Sequence, residues 1–168
     1  MRDPRDQGGK YYRPKLWELH EATHRWLGAY CDVFVDARCF YDPTDDYGKK
    51  HTGHHPMIIA SVCENHNLNE YMKVLKKRIN AACNANAQII IGNYCKSGRH
   101  RSVAATYILQ HVLRQHGWTV DTIKHLSAHA WGKHLCKGRC PECRTPQDQM
   151  LRWKTWALEA AVKSWSNA

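Results

Sequence analysis

The sequence predicts an α/β fold: a mostly parallel sheet with flanking helices, a strand–loop–helix phosphate-binding loop, and a small Cys-rich segment towards the C-terminus. Three observations predict it. Short apolar runs at Cys31 to Cys39, Ile89 to Ile91 and Trp118 to Leu126 read as strands. Stripes of helical spacing separate them, over Asn67 to Asn84 and Val103 to Leu113. Strands that alternate with helices join as parallel neighbours, because a parallel pair needs a crossover connection. The Cys-rich segment is marked by Cys136, Cys140 and Cys143 in a stretch with little apolar content.

Taken in order, residues 1–15 read as a basic flexible arm, with Gly8-Gly9, two prolines and several charges. Residues 16–127 carry the α/β pattern, and residues 128–168 hold the Cys/His cluster and a Trp-rich helix. Leu16 to Leu27 is spaced for a short helix that Gly28 ends. In the first strand Val33, Val35 and Ala37 alternate with Phe34 and Asp36, a pattern expected for burial on both faces. It delivers Asp36 and Arg38 to its C-terminal end, where open α/β sheets collect ligands. A long polar loop over 40–56 follows, and then an apolar stretch from Met57 to Val62. The loop's His51, His54 and His55 could bind metal, but their spacing favours hydrogen bonding to a ligand or plain solvation. Asn67 with Glu70 three residues on predicts a capping box for the next helix. Leu68, Tyr71, Met72, Leu75, Ile79 and Ala82 form its apolar stripe. Gly117 is placed to end the helix after the central loop. A last helix is expected from Pro146 to Trp165, capped by Thr145 and docked through Met150, Trp153, Ala157, Ala160, Ala161 and Trp165.

Composition narrows the partners. Apolar residues make up 43% of the 168, enough for a real core in one domain. Lys and Arg outnumber Asp and Glu 25 to 15, a net charge of +10 that favours phosphorylated small molecules, RNA or other anionic partners. No apolar run approaches the ~20 residues that would cross a membrane. The opening M-R-D-P-R-D-Q-G-G-K has no secretory character, so an intracellular, cytoplasmic setting is expected, with the eight cysteines reduced or bound to metal.

The central stretch reads Q-I-I-I-G-N-Y-C-K-S-G-R-H-R-S-V from Gln88 to Val103. A strand, a polar loop and a helix start bring backbone N–H groups and a helix N-terminus to one point, which favours phosphate. Lys96, Ser97, Gly98, Arg99, His100, Arg101 and Ser102 are the candidate anion ligands, with Arg101 as the main grip. The run C-x-x-G-x-x-R-S from Cys95 to Ser102 also resembles the signature of the protein tyrosine and dual-specificity phosphatases. That resemblance implies Cys95 as nucleophile, steadied by Ser102, with a general acid such as Asp42. It departs at Tyr94, where those enzymes usually carry histidine.

More of the chain is similar to another family. Tyr94 to Val103, the upstream Asp36-Ala37-Arg38 with its aromatic and Asp42-Pro43 loop, and Thr52-Gly53-His54-His55-Pro56 resemble, in order and spacing, the C-terminal domain of the RapZ family. These are RNase adapter proteins that bind an amino-sugar phosphate and small RNAs. The resemblance spans roughly Cys31 to Leu126 and implies a binding domain rather than an enzyme. Its ligand would be a sugar phosphate or nucleotide, RNA, or both, held at residues 94–103, with Asp36, Arg38, Thr52 and Gly53 on the same pocket. Tyr94 and Ser97 stand where the family has glycine. The G-x-x-x-x-G-K-[ST] signature of the family's N-terminal kinase-like domain does not occur.

The cysteine cluster lies outside that resemblance. Cys136, Cys140 and Cys143 offer three thiolates, and His134, or alternatively His129 or His125, the fourth ligand of a structural zinc site. The C-x3-C-x2-C spacing also occurs in radical SAM enzymes, but there an aromatic usually precedes the last cysteine, where this chain has Glu142.

Overall fold

The computed structural model describes residues 31–43 and 46–168. The expected arm over 1–15 and helix over 16–27 lie outside them. Two strands form the sheet, β1 (Val33–Asp36) and β2 (Ile91–Tyr94), paired in parallel with Val33 opposite Ile91 and Asp36 opposite Tyr94. Three helices connect them: α1 (Asp46–Lys50), α2 (Pro56–Cys63) and α3 (Leu68–Cys83). After β2 come α4 (Arg101–Gln115), the four-residue α5 (Pro141–Arg144) and α6 (Asp148–Ser166).

β1 buries Val33 and Val35, while Phe34 and Asp36 are only half-buried, so one face is closed and the other partly open. β2 starts two residues later than its most apolar stretch suggests. Ile90 is 60% exposed, and Phe34 instead stacks on Tyr94 with ring centroids 4.7 Å apart.

The expected strand over Trp118 to Leu126 does not form, and the described sheet has two strands rather than three. This segment folds back on the end of α4 instead: Trp118 N–H donates to Leu113 O, and Arg114 donates to Val120 O. Val120 packs partly against the core, but Trp118 and Leu126 remain exposed, so the segment lacks the covered faces a central strand requires. The Met57 to Val62 stretch is helical, as part of α2. Pro56 occupies its first turn and His55 Nδ1 caps it by accepting the Met57 N–H at 3.2 Å.

α3 follows its expected stripe, with Leu68, Tyr71, Met72, Leu75 and Ile79 buried. Its capping box does not form: the Asn67 amide donates to Cys39 O at 2.7 Å, tying the helix start to the end of β1. α6 begins at Asp148 with Gln147 as the preceding cap residue, not at Pro146. It docks through Ala157, Ala161, Ser164 and Trp165, whereas Trp153 is 44% exposed. α6 packs on α2, α3 and α4, and its buried side chains join the core cluster that contains Val33, Ile58, Leu75 and Ile108.

Candidate anion site and metal-binding cluster

The loop from Cys95 to His100 leaves the C-terminal end of β2 and enters α4, the layout expected from the sequence. His100 occupies the cap position of α4 but supplies no side-chain cap, so the first-turn N–H groups lack that partner. Lys96 and Ser97 are exposed, while His100, Arg101 and Ser102 are buried. Gly98 adopts φ +60°, a left-handed conformation that favours glycine, and its carbonyl accepts from Ser127 Oγ at 2.7 Å and Trp131 Nε1 at 3.1 Å. Segment 127–131 therefore backs the loop.

Arg101 is 8% exposed and reaches inward. It donates to Phe40 O at 3.3 Å and to Asp42 Oδ2 at 3.2 Å, while its Nε is buried without a hydrogen-bond partner among the described residues. The same Asp42 accepts from His100 Nδ1 at 3.2 Å. The His100 hydrogen bond first, then the guanidinium charges of Arg101 and Arg99, hold the Asp42 carboxyl below its usual range against the opposing effect of burial. A carboxylate held ionised is poorly suited to donate a proton, which the phosphatase-like arrangement asks of Asp42. Cys95 Sγ lies 3.2 Å from Ser102 Oγ, the pairing that arrangement shares.

Asp36 and Arg38 are engaged with one another. Arg38 Nε contacts both Asp36 oxygens at 3.0 Å, and its NH2 group reaches Oδ2 at 2.8 Å and Tyr94 Oη at 3.5 Å. Burial works to raise the Asp36 carboxyl, but the Arg38 hydrogen bonds and charge outweigh it and the net shift is downward. Asp36, but not Arg38, borders a hollow of about 370 Å³ that Phe34, Asn67, Tyr71, Arg78 and Tyr94 also line. The Arg38 carbonyl sits 3.5 Å from an Arg101 nitrogen, so the end of β1 and the start of α4 meet.

Thr52 and Gly53 brace the site from beneath. Thr52 is fully buried, with its hydroxyl 2.6 Å from His54 Nδ1. Gly53 N–H donates to Arg99 O at 2.8 Å, and a Cβ at Gly53 would collide with His100 O and Ala104 N. Only glycine brings that backbone so close to the first turn of α4.

Cys136, Cys140 and Cys143 gather as expected, and the structure adds His51 to them: the four ligand atoms lie within 4.8 Å of one another. They form a group that can hold a metal ion. His134 is exposed, and it lines the adjoining hollow without joining the four. The difference between the two histidines is geometric. His51 is buried beneath the cluster, 3.5 Å from Cys140 Sγ through Nε2, whereas His134 lies on the surface. Burial works to raise the Cys136 thiol, but hydrogen bonds from the Cys140 and Gly138 backbone and from the neighbouring thiols lower it overall. Burial and hydrogen bonding with Cys136 and Cys140 raise Cys143. The group His51, His55 and Glu142 is a second possible donor set, sharing His51.

The fold is a mixed helix/strand domain with two parallel strands, in which a basic loop leads from β2 into α4. A family model described as the RapZ C-terminal domain matches residues 24–129, more than half the chain, and the protein belongs to that family. No curated protein and no solved structure matches the chain. Among the described residues no helix is long and apolar enough to cross a membrane.

Proposed function

We propose that the loop over 94–103 binds the phosphoryl group of a small phosphorylated molecule, a sugar phosphate or a nucleotide, or a phosphate of RNA. The observation that carries the reading is Arg101 Nε: a buried guanidinium N–H without a hydrogen-bond partner among the described residues, on the first residue of a helix that begins without a side-chain cap. An unmade hydrogen bond at a buried charged donor is costly, and an anion oxygen would satisfy it. Lys96, Ser97 and Arg99 precede it on the same loop and add charge and donors. Membership of the RapZ C-terminal family supports a binding role over catalysis. Asp36 and Arg38 would read the remainder of the ligand across the end of β1. The ion proposed for the cysteine cluster is zinc, in a structural role, because three thiolates and an imidazole are a common zinc donor set. Titrating the full chain with inorganic phosphate and with an amino-sugar phosphate, followed by phosphorus NMR, tests the reading. Saturable binding weakened at least tenfold by Lys96→Ala together with Arg99→Ala is expected. Hydrolysis of an aryl phosphate that disappears in Cys95→Ser would overturn it.

A further inference from the structure

His51 lies 89 residues before Cys140, yet its Nε2 is 3.5 Å from that sulfur. Cys136 Sγ and Cys143 Sγ are 3.4 Å apart. In a tetrahedral zinc site with bonds of about 2.0–2.3 Å, neighbouring ligand atoms stand roughly 3.3–3.8 Å from one another. The two spacings fit that tetrahedron and are far longer than the ~2.05 Å of a disulfide.

The surrounding chain is shaped for the same purpose. Lys137 and Gly138 take φ values of 50° and 81°, turning the backbone so that Gly138 N–H donates to Cys136 Sγ at 3.2 Å. Cys136 N–H donates to the carbonyl of Lys50, the residue before His51, at 3.1 Å. Apolar packing does little to hold this region. Between residues 132 and 144 only Leu135 is buried, in a small cluster with Val103 and Trp131. His55 is committed elsewhere: its Nδ1 caps α2, which leaves the proton on Nε2 facing Glu142. The Cys3His set is therefore the better donor set of the two that share His51.

We infer that His51 closes a tetrahedral Cys3His metal centre with Cys136, Cys140 and Cys143, and that the ion clamps the cysteine segment onto the chain that supports the central loop. The inference rests on the zinc reading above and stands without the anion reading. Its reach follows from two residues. His51 is two positions before Gly53, and Gly53 N–H holds Arg99 O at 2.8 Å against the start of α4. Metal loading thereby fixes the segment on which the loop is seated, and loss of the ion or of a thiolate releases it.

The test is metal analysis and cobalt(II) titration of the full chain, purified without chelator, with amide exchange read before and after chelation. One equivalent of metal is expected in wild type and in His134→Ala. His51→Ala should bind cobalt roughly 100-fold more weakly and lose the tetrahedral ligand-field bands. His51→Cys should retain one equivalent with a more thiolate-rich spectrum, which keeps the test decisive where His51→Ala fails to fold. Chelation should speed exchange at Gly53 by at least tenfold while Leu75 and Ile79 on α3 stay protected. Less than a tenth of an equivalent in wild type would overturn the zinc reading and the inference together. Cobalt affinity and ligand-field bands unchanged in His51→Ala, or metal lost in His134→Ala, would overturn the inference alone, as would unchanged exchange at Gly53 after chelation.

Discussion

Arg99 Nε donates to Nε2 of His100 at 3.0 Å, so the imidazole proton resides on Nδ1, which faces Asp42. The result is a continuous relay from Arg99 through His100 to Asp42, with Arg101 entering the same carboxylate from the other side. Two of the loop's charged residues are thereby oriented by one carboxylate that lies 58 residues upstream of His100.

Asp42 accordingly positions the loop. Asp42→Ala removes two charge-assisted hydrogen bonds. Because its side chain is 41% exposed, solvent offsets part of the loss, and a cost of about 1–2 kcal/mol is expected. Urea unfolding of wild type and variant measures it. A change below a few tenths would show that the Phe40 and Arg38 carbonyls suffice to hold Arg101.

Gly53→Ala is expected to be among the most damaging single substitutions. The added methyl meets backbone atoms of His100 and Ala104, which cannot rotate away as a side chain can. Overpacking of this kind costs about 1–3 kcal/mol or more. The thermal midpoint should fall by several degrees, whereas Gly132→Ala, with nothing near its Cβ, should leave it nearly unchanged.

Trp131→Phe keeps most of the buried ring and removes the indole N–H that donates to Gly98 O. Ser127 continues to donate to that carbonyl, so the loss should be about 1 kcal/mol rather than the full cost of an unsatisfied group. Combining it with Ser127→Ala leaves the carbonyl with neither donor. The double variant should lose more than the sum of the singles, as a double-mutant cycle by chemical denaturation will read.

His54 gives a pH dependence of defined sign. Burial, then the charges of His125 and Lys154, push its pKa down to about 4, against about 6.5 for an unperturbed histidine. Between those values the unfolded chain binds more protons than the folded one. The stability contributed is present above pH about 6.5 and is lost as pH falls towards 4. Denaturation series across that range should show a shallower slope for His54→Gln than for wild type. Equal slopes would mean that His54 is accessible enough to protonate in the folded state.

Binding of RNA can be told from binding of a small phosphate by salt. Contacts to several backbone phosphates make the affinity fall steeply with ionic strength, and replacing Lys96 should lower the slope by about one. A flat salt response would exclude backbone phosphate contact as the main source of affinity.

The local elements that bear the site were legible from the residues themselves. The apolar stripe of α3, the alternation in β1, and the basic loop leading into α4 follow from periods of 3.6 and 2 and from the clustering of Lys96, Arg99 and Arg101. So was a thiolate cluster at Cys136, Cys140 and Cys143, because its ligands are close along the chain. Trp118 to Leu126 misled for the opposite reason. Its composition suits a strand, but a strand exists only where another edge pairs with it, and local composition does not report the edge. Tertiary structure alone decided that Asn67 ties to Cys39 rather than capping its own helix, that Thr52 and Gly53 support the loop from below, and that His51 joins the cysteines. Each depends on groups brought together over long stretches of chain by burial of the shared core. Sequence spacing encodes which side chains lie on one face of an element. Which faces meet is set by packing.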